Sequence, residues 1–144
     1  MTAPMTSTTT SPRLLGRSVL AVFLGFIAVV ILSIGTDVVL HLLKVYPPWN
    51  VPMWDPGLNA LALSYRIVYT VLGGYIAARF APYAPVRHAV ILGIIGLIPA
   101  VAGVVYALNR GDMGPRWYPI VLALVGLPCC WLGGVWYQAR HPER

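Results

Sequence analysis

Hydrophobic residues gather into four long runs, about residues 18–43, 58–81, 88–108 and 117–137, and polar residues mostly mark where the runs end. A helix needs roughly 20 mostly apolar residues to cross a hydrocarbon core, and its own hydrogen bonds satisfy the backbone there. The pattern therefore predicts an all-α integral membrane bundle of four transmembrane helices. No charged residue falls between Ala89 and Leu108 or between Tyr118 and Tyr137. Pro99 and Pro128 lie inside these last two runs, where neighbouring helices can satisfy the carbonyls they free.

Between the runs the chain changes character. Met1 to Pro12 is rich in Thr, Ser and Pro with no apolar period, which predicts a disordered tail over 1–12 ahead of one transmembrane domain over 13–144. Arg13 and Arg17 before an apolar run are also how a signal peptide begins. The run, however, continues well past the roughly 7 to 15 residues of a signal segment, so a retained helix is expected. Pro47, Pro48, Pro52 and Pro56 exclude a helix from the first connection, which reads as a stiff, extended cover.

Composition supports lipid as the solvent: of 144 residues, 58% are hydrophobic and 10% charged, against about 25% charged in soluble domains. The net charge of +6 does not form a patch that would suit nucleic acid. Arg13, Arg17, Arg79, Arg87, Arg140 and Arg144 fall on one side of the four runs, and Lys44, Arg110 and Arg116 on the other. The positive-inside rule then puts both termini in the cytoplasm of a bacterial-type inner membrane. Tyr46, Trp49, Trp54, Tyr106, Trp117 and Tyr118 are expected as an outer aromatic belt, with Tyr83, Trp136 and Tyr137 on the inner side.

Two charges lie at depth. Charged groups in membrane helices cost about 2.5–3.5 kcal/mol on insertion scales, and folding the first two runs about Val51 brings Asp37 opposite Tyr65 or Arg66. His41 shares the face of Asp37 with Ser33 one turn away, and Tyr65 and Tyr69 add hydroxyls, so a polar cluster is predicted. It reads either as a clamp that cancels two insertion costs or as a proton or cation site centred on Asp37. A permanent cation beside the acid favours the clamp. Asp37 and His41 lack a third or fourth ligand at suitable spacing, so no metal or cofactor is expected. His88 reads as an interface residue beside Arg87.

Small residues recur at packing intervals: Gly73 with Ala77, Gly74 with Ala78, Gly96 with Ala100, and Gly126, Cys130 and Gly134. Such rows let helices approach within the bundle or in a homo-oligomer. Cys129 and Cys130, adjacent in an apolar run, match no zinc or disulfide pattern. Asp37, Asp55, Asp112 and Glu143 are the only acids, and no phosphate loop, metalloprotease pair or nucleophile elbow is present, which argues against an enzyme.

The segments Tyr65-Arg66-Ile67-Val68-Tyr69, Gly73 through Pro82, Arg87-His88-Ala89 and Gly114 through Gly134 resemble those of a family of small, uncharacterised four-helix bacterial membrane proteins. The likeness implies the four-helix architecture and adds no site. In size and topology alone the chain is similar to small multidrug-resistance transporters, dimers with a single acid in the first helix. It differs in Arg66, in using Asp, and in its long proline-rich loop. These readings predict a non-enzymatic structural or accessory membrane subunit, associating with the bilayer and with a membrane partner or its own copies. The alternative is an oligomeric proton- or cation-coupled solute carrier using Asp37.

Overall fold

The computed structural model describes residues 11–143 and folds them into four helices: α1 (Pro12–Leu42), α2 (Pro56–Phe80), α3 (Pro85–Arg110) and α4 (Trp117–Arg140). All four are long and apolar enough to cross a membrane. Of the tail predicted over 1–12, residues 1–10 lie outside the described residues, and Pro12 belongs to α1 instead.

Local chemistry sets the ends. Proline opens α1, α2 and α3, where its fixed φ suits a first helical residue and its missing N–H is not needed. For this reason α1 starts at Pro12 and α3 at Pro85, earlier than the hydrophobic runs at 18 and 88 suggested. Asp55 caps α2 by accepting from the N–H groups of Gly57 (2.7 Å) and Leu58 (3.2 Å). Pro82 drives Ala81 into extended backbone and stops α2, and Gly111 closes α3 in the left-handed region, φ 70°. Past the expected 137, α4 continues to Arg140.

Consecutive helices run antiparallel, and α2 and α4 lie parallel to each other. In the resulting bundle α2 touches all three partners and α4 packs on α2 and α3. In contrast, α1 rests on α2 and part of α3, and its backbone stays more than 8 Å from that of α4. Small side chains make the centre, with Ala21, Ala77, Ala78 and Ala89 fully buried and Leu92 and Cys130 nearly so. Where α2 crosses α4, a methyl on Gly74 would meet the Cys130 backbone, and one on Gly133 would meet the backbone of Val71 and Tyr75. Gly73 similarly faces Gly25 and Val29 on α1, and Gly134 faces Ala89 and Val86 on α3.

The row of Gly96 and Ala100 and the first member of the α4 row, Gly126, do not pack. A methyl on Gly96 or Gly126 would meet nothing within 4 Å, and both residues line an opening with Ala100. Because α1 does not reach α4, the small faces of α3 and α4 have no backbone to receive there.

Large apolar side chains project outward, including Leu42, Ile98 and Leu124 at 70% exposure or more. No more than 28% of any span's most hydrophobic window is buried within the bundle, so most of that surface is left for lipid to cover. The chain is thus an all-helical protein of multi-pass membrane character.

Candidate functional site

The polar cluster forms near the end of the bundle where α1 passes into the proline-rich connection. Asp37 of α1 accepts at Oδ1 from the Tyr65 hydroxyl and at Oδ2 from the Arg66 guanidinium, both on α2. The side chains of Arg66 and Asp37 keep 27% and 18% exposure, so the pair is covered without being sealed. Tyr65 can serve the acid while Arg66 does so because successive residues on α2 flank the seam with α1.

The network extends further than the spacing of residues indicated. The hydroxyls of Tyr65 and Tyr46 lie 3.0 Å apart, and Tyr46 is 6% exposed, buried where an outer-belt residue was expected. Burial pushes the Tyr46 phenol above its ordinary value, an effect that its bond with Tyr65 partly opposes. Tyr118, also expected in the belt, faces Arg66 from the start of α4. Tyr69 pairs with Thr36 at 2.7 Å instead of with Asp37. Thr36 escaped notice because it adjoins the acid on the chain and carries no charge.

His41 and Ser33 occupy other positions than predicted. His41 bonds through Nδ1 to the backbone carbonyl of Asp37 (2.6 Å), one turn back, and its ring stacks on Trp49 at 3.6 Å and 4°. It therefore anchors the connection and does not bond the carboxylate. Ser33 is buried but opens toward the α1, α3 and α4 side, sharing a cavity of about 330 Å³ with the underside of Arg66. The Arg66 Nε is buried without a hydrogen-bond partner.

The connection bends back over the cluster where a stiff, extended cover was expected. Lys44 takes a left-handed φ of 57°, and the Val51 N–H closes a turn onto the Pro48 carbonyl (2.8 Å). Asn59, 3% exposed, donates from Nδ2 to the carbonyls of Met53 (2.9 Å) and Asp55 (2.8 Å). Sequence reading passed over this amide because it sits inside an apolar run. Asp37, Arg66, Tyr118 and the bent connection enclose a recess of about 210 Å³.

At the opposite end His88 is 2% exposed, more deeply placed than an interface residue, with Nδ1 bonded to the Ala84 carbonyl at 3.1 Å. Among the described residues no three His, Cys, Asp or Glu side chains group as metal ligands. Comparison of the chain with protein-family models, with curated proteins and with solved structures finds no match.

Proposed function

We propose that this chain is a non-enzymatic structural or accessory protein of a bacterial inner membrane, with both termini cytoplasmic, in which Asp37, Arg66, Tyr65 and Tyr46 clamp the outer ends of α1 and α2. The observation that carries this reading is the pairing of Asp37 at both of its oxygens. Each carboxylate oxygen is held by a donor from α2, one of them a permanent cation, and the other donor is tied to the connection through Tyr46. An acid so occupied neutralises its neighbour and sets the register of two helices. The distribution of arginines supports the orientation, with Arg13, Arg17, Arg79, Arg87 and Arg140 near one end of the bundle.

The carrier reading draws on a separate observation, the recess over Asp37 and Arg66. A solute or ion entering there would meet both charges. The two readings separate in one protein, Asp37→Asn. As a clamp residue its loss lowers thermal stability, and purification of the parent in mild detergent retains a foreign membrane partner. As a carrier residue its loss leaves a stable protein that no longer moves protons or solute in proteoliposomes.

A further inference from the structure

The inner halves of α1 and α3 meet at Gly25 and Leu92 and part beside that contact. Between them runs a groove of about 450 Å³, walled by Val19, Val22 and Phe23 on α1 and by Ile91 and Ile95 on α3. Its lining extends from Leu15 to Phe26 on one helix and from Arg87 to Ile95 on the other. At 1.5 Å per residue that is roughly 12–16 Å. Half of a bilayer's hydrocarbon core measures about 15 Å, so the groove matches the depth of one leaflet.

Its mouth is chemically different from its walls. Arg87, His88, Tyr83 and Ser18 meet at the end nearest the α2–α3 turn. His88 is 2% exposed and spends Nδ1 on the Ala84 carbonyl, which leaves Nε2 without a protein partner. The Ser18 hydroxyl is likewise buried with no partner. The only ion pairs among the described residues are Arg66 with Asp37 and Arg110 with Asp112, both at the other end of the bundle, so Arg87 has no acid beside it. Arg13 and Arg17, near the start of α1, do not line the groove.

We infer that this groove is a binding site for one anionic phospholipid, with an acyl chain along the α1–α3 wall and the phosphate at Arg87. Charge complementarity selects the headgroup, because a mouth with Arg87 and no acid paired to it gains from an anion and little from a zwitterion. The buried polar groups supply specific bonds. Ser18 donates to a phosphate oxygen, and His88 Nε2 accepts from a headgroup hydroxyl. An apolar wall one leaflet deep excludes inorganic phosphate as a sufficient occupant. This site is independent of the Asp37 clamp and needs only that the helices lie in a bilayer.

The test is native mass spectrometry of the full chain released from detergent after equilibration with equal amounts of phosphatidylglycerol and phosphatidylcholine. One phosphatidylglycerol is expected to remain per chain. Arg87→Gln should weaken its retention about fivefold, the effect of one arginine near an anionic lipid surface. Val22→Trp, which fills the groove, should abolish retention, with Ile91→Trp from the facing wall as its replacement if the first variant misfolds by circular dichroism. Equal retention of the two lipids would overturn the assignment, as would undiminished phosphatidylglycerol in both groove-filling and Arg87 variants. Loss on filling but not in Arg87→Gln would show an acyl chain held without its headgroup and defeat the anionic site. A lipid-free dimer would mean that a second copy occupies the groove.

Discussion

Replacing Asp37 with Asn tests the clamp most directly, because the amide preserves shape and an acceptor for Tyr65 while removing the charge opposite Arg66. The guanidinium then bears its own insertion cost, about 2.5–3.5 kcal/mol at the centre of a span. Removing one partner of a fully buried pair costs about 3–5 kcal/mol, but the Arg66 side chain is 27% exposed beside a recess large enough for water. Solvent screening there reduces the loss to about 2 kcal/mol. The measurement is unfolding of the purified protein in mixed micelles with rising dodecyl sulfate, followed by circular dichroism, for the parent, Asp37→Asn, Arg66→Gln and the exchange of Asp37→Arg with Arg66→Asp. Each single change should lose about 2 kcal/mol, and the exchange should recover at least half of it, since Tyr65 then faces a cation instead of an acceptor. A parent-like Asp37→Asn, within about 0.5 kcal/mol, would refute the clamp.

Further outcomes follow from the packing and the connection. Gly74→Ala should destabilise by about 1–3 kcal/mol because its methyl meets the Cys130 backbone, whereas Gly126→Ala should lie within about 0.5 kcal/mol of the parent in the same unfolding assay. Asn59→Ala should free the bent connection, costing about 1–3 kcal/mol and exposing residues 44–55 to limited proteolysis that the parent resists. Tyr46 has a raised pKa because its phenol is buried, so its contribution to stability is complete below pH 10.0, the ordinary tyrosine value, and declines as pH rises through the higher folded value. Thermal melts across that range should show the decline, and Tyr46→Phe should flatten it.

How much of this was legible beforehand can be judged residue by residue. The opposition of Asp37 and Arg66 was accessible because two antiparallel helices joined by one connection obey a simple fold-back, and because charge at depth needs a partner. The burial of Tyr46 and the turn of Tyr118 toward Arg66 were not, since an aromatic residue at a helix end looks the same whether it faces headgroups or turns inward. Thr36 and Asn59 carry no charge to draw attention, and their roles depend on atoms from distant turns. Likewise, Gly74 and Gly96 sit in similar small-residue rows, yet one touches a neighbouring backbone and the other lines a gap.

Hydrophobic run length, the prolines and Gly111 at helix ends, and the scarcity of charge by themselves determined that four helices form and that their surfaces suit lipid. These are local properties, set by backbone hydrogen bonding and by the cost of wetting apolar surface. Only tertiary structure decided that α1 stays clear of α4, that the connection bends over Asp37, and that His88 is buried beside an open groove. Each of those depends on which faces meet, and in lipid the apolar faces of a helix are nearly equivalent until close packing and a few polar bonds choose among them.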